Sequence, residues 1–216
     1  MLDFVIARRN MVEHQLRTNA VTDEAVLAAM GEIPRERFVP ETLRDVAYID
    51  EDLPVKKGRY LMEPRVFARL LQLAGVKRDD MVLDIGCGTG YSTAVLSKLA
   101  NTVVALESDA ELAARASTTL SELAIDNAII VTAPLADGFA KQSPYDVIVF
   151  GGSLARVPAS IARQLAEGGR LVAVIGEGMG RGTLMMRVRG VVSSRPAFDA
   201  ATPVLPDFVP VQGFVF

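Results

Sequence analysis

Cysteine and histidine are almost missing from this chain, with one of each in 216 residues. Cys87 alone permits no disulfide within the chain, which fits a reducing compartment. It also excludes a metal site built on cysteines, and a single His14 makes a zinc site a poor expectation. No apolar run approaches the roughly 18 residues of a membrane span, and the N-terminus shows no signal-peptide pattern. An excess of one charge is lacking too: 23 basic against 26 acidic residues leave a net charge of −3. With no basic face and no Asn/Asp-Pro-Pro-Tyr motif, nucleic acid is not an expected partner. Repeats and low-complexity tracts are absent. The expectation is a soluble cytoplasmic protein, half hydrophobic in composition and long enough for one full core.

What is present is concentrated in one stretch. Residues 82–94 read Val-Leu-Asp-Ile-Gly-Cys-Gly-Thr-Gly-Tyr-Ser-Thr-Ala, an apolar strand running into glycines at 86, 88 and 90 and then a helix expected over 91–100. Glycine at alternate positions lets the chain turn sharply and lets a ligand approach the backbone, with no Cβ in the way. The helix aims its first N–H groups at whatever rests on the loop, favouring an anionic group such as a carboxylate. Asp84, at the end of the strand, is placed to accept from an ammonium group or from loop amides. Glu107 closes the next apolar run, 17 positions after Gly90, where an acid accepts hydrogen bonds from ribose hydroxyls. A dinucleotide fingerprint is spaced G-x-G-x-x-G to seat a pyrophosphate. Here the spacing is G-x-G-x-G behind an acid, which resembles the first motif of the class I S-adenosylmethionine methyltransferases. Their ligand offers a carboxylate, an ammonium, a ribose and an adenine, and no phosphate. The simpler alternative is a glycine-rich turn in an ordinary strand–helix unit.

From Met81 onward, apolar runs at 81–86, 102–107, 127–133, 145–151 and 169–176 alternate with helical stretches at 91–100, 109–124 and 158–167. This alternation predicts an α/β fold with a doubly wound, mostly parallel, seven-stranded Rossmann-like sheet. Runs at 183–188 and 211–216 are expected to close one edge as a hairpin, with Pro203, Pro206 and Pro210 stiffening the approach. Ligands bind such sheets at the carboxyl ends of the strands, where the glycine loop, Glu107 and Asp137 would meet. Residues 1–57 read as a helical cap: an amphipathic helix over 4–19, then a second running to Met30, capped by Thr22 with Asp23 and Glu24 in its first turn. The cap is too short for its own core, so 1–216 is expected to be one domain with its cofactor-binding core at 77–216.

The cap carries a second resemblance. Arg9-Asn-Met-Val-Glu-His-Gln-Leu16, the run from Val21 to Met30, Ile33-Pro-Arg-Glu-Arg-Phe-Val-Pro40 and Ala47-Tyr-Ile-Asp50 precede the glycine motif. Asp84 to Leu96, Ala136-Asp-Gly138, Tyr145-Asp146 and Gln164-Leu-Ala-Glu-Gly-Gly169 follow. Together they are similar to the protein-L-isoaspartate O-methyltransferases up to about residue 176. The resemblance implies S-adenosyl-L-methionine as cofactor and a protein or peptide acceptor. It implies repair of damaged proteins, by methylation of the α-carboxylate of isoaspartyl residues. By the same resemblance Asp84, Gly86 and Gly88 line the cofactor's amino-acid end, Glu107 holds the ribose, and Asp137 with Gly138 lies by the adenine. Cys87, Gly90, Tyr91 and Ser108 complete the expected cofactor-binding set.

The acceptor loop at 58–65 departs from that family. Where the family reads Gly-Gln-Thr-Ile-Ser-Gln-Pro, this chain reads Gly58-Arg-Tyr-Leu-Met-Glu-Pro64. Met62 thus replaces the serine and Tyr60 the threonine, leaving Arg59, Tyr60 and Met62 as the candidate catalytic positions. A thioether donates no hydrogen bond to a carboxylate, and Glu63 adds a repelling charge. Phe150-Gly-Gly-Ser153 likewise replaces a Val-Thr-Ala-Ala-like stretch. Methyl transfer from a sulfonium to an ionised carboxylate rests on proximity and orientation and needs no base. An amine or phenol acceptor would need one, and His14, on the first helix, is a poor candidate. Lys56, Lys57, Arg59 and Arg65 flank the loop, as a collar for an anionic substrate or as a solvated surface. Cys87 reads as a small filler and not a nucleophile. Three readings stay open: isoaspartyl carboxyl methylation, with Arg59, Tyr60 and backbone amides in place of the hydroxyls; methylation of a different protein or small-molecule acceptor; and a cofactor-binding scaffold or sensor without transfer.

Overall fold

The computed structural model describes residues 3–176 and 178–209. Asp3 caps the first helix, α1 (Phe4–Asn10), by accepting from the Val5 and Ile6 amides. The winding continues past Asn10, wider over Met11–Leu16 and tighter over Arg17–Asn19, and stops at left-handed Ala20. The helix expected over 4–19 is therefore three differently wound pieces, burying Met11, Val12 and Leu16. The second helix, α2 (Glu24–Glu32), is capped by Asp23 and not by Thr22. The Asp23 carboxylate takes two amides, of Ala25 and Val26, and adds negative charge at the positive end of the helix. Thr22 instead turns its own amide to the Gln72 side chain.

Three of the eight residues of the expected loop at 58–65 are strand. β1 (Leu53–Lys56) and β2 (Arg59–Leu61) pair antiparallel around Gly58, whose φ of 73° suits glycine. The strand period buries Arg59 and Leu61 and leaves Tyr60 outside. Pro64 then opens α3 (Pro64–Ala74), a helix the strand–helix alternation did not anticipate, which buries Val66, Phe67, Leu70 and Leu71 on one face.

The remainder alternates as expected: β3 (Met81–Ile85), α4 (Tyr91–Leu99), β4 (Thr102–Glu107), α5 (Ala110–Glu122), β5 (Ala128–Thr132), β6 (Tyr145–Leu154), α6 (Ala159–Ala162), β7 (Leu165–Ile175), β8 (Gly180–Val188) and β9 (Val191–Ala200). They build a seven-stranded sheet in the order β5-β4-β3-β6-β7-β8-β9, parallel from β5 to β7 and antiparallel at β8 and β9. The doubly wound fold class is as the pattern predicts. The edge is not, because β8 pairs with 191–200, and the run at 211–216 lies outside the described residues. α6 is also far shorter than 158–167, since Leu165 is drawn into β7 beside Tyr145. There the ladder outweighs local helix propensity.

Alternate residues feed two cores. Val82, Val147, Val149 and Val172 face the cap, α3 and α4. Leu83, Ile85, Ile148 and Phe150 face the opposite layer, together with Leu205. The chain order reverses between β3 and β6, which puts the switch point of the sheet at the glycine loop. Among the described residues no helix is long and apolar enough to cross a membrane.

Gly151 and Gly152 lie where the β6–β7 register shifts, between Val149 and Ser153. A Cβ on Gly151 would stand 2.3 Å from the Gly86 carbonyl oxygen, so only glycine lets β6 pass the loop this closely. Gly151→Ala is expected to lower stability by about 1–3 kcal/mol through overpacking against backbone. Urea unfolding measures this, and an unchanged midpoint would show that the loop yields.

Candidate functional site

The loop between β3 and α4 turns on Gly86, Gly88 and Gly90, all with positive φ (78°, 57° and 93°). Its start is anchored on β4, since the Gly86 and Cys87 amides donate to the Leu106 carbonyl at 2.8 and 3.2 Å. Asp84, fully buried at the end of β3, accepts from the Ser92 and Thr93 hydroxyls through Oδ2, both at 2.7 Å. Its Oδ1 has no partner among the described residues. Burial pushes the Asp84 carboxyl up to about 6, and the two hydroxyls only partly offset that. An oxygen so placed suits a cation that restores the ionised form.

Glu107, fully buried at the end of β4, is the best-connected side chain of the site. Its Oε1 accepts from Arg59 Nη1 at 2.9 Å and from the Asp109 amide at 3.0 Å. Its Oε2 accepts from Arg59 Nη2 and from the Gly88 amide, the latter at 2.7 Å. Four donors on a carboxylate use all its acceptor positions. Arg59 is 6 % exposed and meets Glu107 as a two-pronged fork.

A strap over residues 202–209 crosses the same opening. The Ser153 amide donates to the Pro203 carbonyl and the Leu205 amide to the Ser153 carbonyl, both at 3.0 Å. Asp207 accepts from the Leu135 amide at 2.9 Å, and Phe208 stands edge-on to Phe150. A Cβ on Gly86 would lie 2.9 Å from Leu205 Cδ2 and 3.5 Å from Arg59 Nη2. Underneath, Tyr60, Leu61, Met62, Phe67, Gly86 and Tyr91 line a cavity of about 20 Å³, room for about one water. The unpartnered Asp84 Oδ1 is an acceptor that suits the ammonium of S-adenosylmethionine, and Glu107 suits the ribose hydroxyls only where one of its present donors gives way. Arg59 and Leu205 occupy the approach to it.

The other expected residues divide. Tyr91 is 1 % exposed and packs into the cap, against Phe38 and Phe67 with the Arg35 guanidinium 4.9 Å over its face. Its ring completes the core between α4 and the cap and lines the small cavity beside Gly86. Cys87 is buried, and burial raises its thiol well above the ordinary value, which suits a filler. Ser108 is half-buried and donates to Asp207 at 3.3 Å. Asp137 is exposed and its carbonyl accepts from Gln164, whose amide also crowds Gly138. Next to Asp137, Ala136 lines an open groove of about 780 Å³ with Arg156, Pro158, Asp207 and Phe208. His14 is exposed on the cap.

Of the four cations around the acceptor loop, three are paired with acids and Lys57 is exposed without an ion pair among the described residues. Lys56 pairs with Asp109 and Glu111, both at 2.7 Å, and Arg65 with Asp50 and Glu63, both at 3.3 Å. One residue that sequence reasoning passed over is Arg35. It is fully buried, and it donates to the Ala47 carbonyl at 2.7 Å and to the Met62 carbonyl at 2.8 Å, so it ties the acceptor loop to the cap. Its only signal was its place in the Ile33–Pro40 word. Leu205 had none, because nothing local says that a proline-flanked leucine returns to the glycine loop.

The sequence profile of the family described as protein-L-isoaspartate(D-aspartate) O-methyltransferase matches residues 7–211. The chain is 40% identical over 173 residues to the protein-L-isoaspartate O-methyltransferase of Koribacter versatilis, spanning 80% of this chain and 78% of that one. It is 41% identical over 165 residues to protein-L-isoaspartate O-methyltransferase 2 of an Anaeromyxobacter species, spanning 76% and 68%. A solved protein-L-isoaspartate O-methyltransferase superposes with a TM-score of 0.79 at 26% identity, over 93% of this chain and 67% of that one. A Plasmodium falciparum protein in complex with S-adenosyl-L-homocysteine superposes with a TM-score of 0.80 over 96% and 100%, at 21% identity, a likeness of fold alone. With a profile match from the cap to the strap and relatives near 40% identity, this chain belongs to the protein-L-isoaspartate(D-aspartate) O-methyltransferase family.

Proposed function

We propose that this chain uses S-adenosylmethionine to methylate a carboxylate of isoaspartyl type on a protein or peptide. The observation that carries the reading is the pair of buried carboxylates, Asp84 and Glu107, ending adjacent strands on either side of the glycine loop. Asp84 Oδ1 would take the cofactor's ammonium, the first-turn amides of α4 its carboxylate, and Glu107 its ribose hydroxyls. The groove beside Ala136 and Asp137 would take the adenine. When bound, the cofactor supplies a methyl group already activated by a positive sulfur.

What remains for the protein is orientation. An ionised carboxylate needs no general base, and the lone histidine lies exposed on the cap. Leu61 and Met62 form an apolar wall that keeps water from the reacting atoms. Arg35 holds that wall through the Met62 carbonyl. The repulsion expected from Glu63 is reduced by its pairing with Arg65. The buried thioether of Met62 also favours a second reading, a different protein or small-molecule acceptor with an apolar flank.

Radiolabelled methyl transfer from S-adenosylmethionine to an isoaspartyl peptide, with the aspartyl peptide as control, tests the first reading. Label on the isoaspartyl peptide alone is expected, and absence of label from protein that binds the cofactor would favour the second. Met62→Ser is expected to raise kcat/KM for that peptide by about tenfold, the worth of one hydrogen bond to a charged group.

The raised Asp84 carboxyl gives a pH signature. Below about pH 6 Asp84 is protonated and cannot pair with an ammonium, so affinity for S-adenosylhomocysteine should fall between pH 7 and pH 5. Folding runs the other way. Because its folded value lies above the ordinary 3.8, Asp84 favours the folded state at low pH, and that stability is lost as pH rises toward about 6. Asp84→Asn should flatten both trends, read by calorimetric titration and by urea unfolding at each pH.

A further inference from the structure

The pairing of Arg59 with Glu107 sets a condition on cofactor binding, granted the cofactor reading above. Every acceptor position of Glu107 is filled, two of them by Arg59. A ribose offers two neutral hydroxyl donors in exchange, and charge-assisted hydrogen bonds are roughly twice as strong as neutral ones. The exchange is therefore unfavourable unless the displaced guanidinium finds another anion. Arg59 is 6 % exposed, and a cation left buried without a partner is heavily penalised.

The neighbouring loop has also lost the hydroxyls with which the family holds an anion, and its one unpaired cation among the described residues, Lys57, lies out in solvent. Met62 and Tyr60 stand where the family's serine and threonine hold the substrate, and a thioether donates nothing. Lys56 and Arg65 are committed to acids outside the cofactor site, whereas Arg59 is bound to a residue the cofactor itself would claim. Cofactor binding would thus release one guanidinium beside the acceptor position. Its planar fork matches a carboxylate.

We propose that Arg59 exchanges carboxylates: it pairs with Glu107 in the free protein and, once ribose takes Glu107, with the carboxylate of the acceptor. Arg59 is then the specificity-determining residue that replaces the family's hydroxyls. Because the two ligands share one guanidinium, each strengthens the other's binding by the same factor. An acceptor without a carboxylate leaves Arg59 on Glu107 and the cofactor weakly held.

Calorimetric titration of S-adenosylhomocysteine into the full chain tests this, with and without saturating isoaspartyl peptide and with a matched asparaginyl peptide as neutral control. In the wild type the isoaspartyl peptide should tighten binding about tenfold and the neutral peptide should not. In Arg59→Gln the ligand alone should bind about tenfold tighter than in wild type, with no further gain from peptide. Equal affinities in the two proteins, or the same gain from peptide in both, would overturn the exchange while leaving the cofactor reading intact. Absence of binding in both would overturn the exchange and that reading together. Arg59→Lys, which keeps the charge and loses the fork, covers the case in which Arg59→Gln melts at assay temperature. It should show a reduced peptide gain, and a gain equal to wild type would overturn the proposal.

Discussion

The carboxylate of Glu107 is the point on which the upper end of this molecule turns. It gathers the glycine loop through the Gly88 amide, the start of α5 through the Asp109 amide, and the acceptor hairpin through Arg59. Three segments whose donors lie 48, 19 and 2 residues from Glu107 in sequence are held by one side chain. Removing one partner of such a buried pair costs about 3–5 kcal/mol, because the other charge is left in an apolar interior. On the function proposed above, the same carboxylate would also hold the ribose of the cofactor. Structural and ligand-binding demands would then compete for one group.

Segments from the early and the late part of the described chain meet over that group. Residues 34–62, from the cap through the acceptor hairpin, reach it by way of Arg59 and are braced from below by Arg35 on the Met62 carbonyl. The strap at 202–209 reaches it from the other side, with Leu205 against Gly86 and Asp207 on the Leu135 amide. Thr202 joins the two layers directly through Asp52, which in turn receives the Glu63 amide. Gly151 and Gly152 make room for this convergence, since side chains there would strike the Gly86 carbonyl and Leu205. The Gly-Gly departure in β6 and the altered acceptor loop are thus parts of one arrangement.

Motifs whose chemistry is local were legible without coordinates. Asp84, the three glycines and Glu107 lie within 24 residues, and strand–loop–helix–strand geometry brings them together in any sheet of this class. The alternation after Met81 read correctly for β3 to β6 because buried parallel strands are short apolar runs. It failed for α6, which β7 cut short, and it did not reach α3, whose residues precede Met81. It also failed at the sheet edge, where polar β9 (Val-Val-Ser-Ser-Arg-Pro) pairs on one side only among the described residues and carries little apolar signal.

By itself the sequence determined the fold class, the family and the kind of ligand for which the glycine loop is built. These follow from spacing along the chain, and spacing survives in any conformation. Tertiary structure alone decided what the charged and bulky groups do. Arg59 read as one member of a basic collar and became the partner of Glu107; Tyr91 read as one of a cofactor-binding set and packs in the core; Leu205 read as part of a stiff approach and became a cover on Gly86. Each depends on a contact between residues far apart in sequence, and on the need of a buried charge or apolar side chain for a partner that no local pattern names.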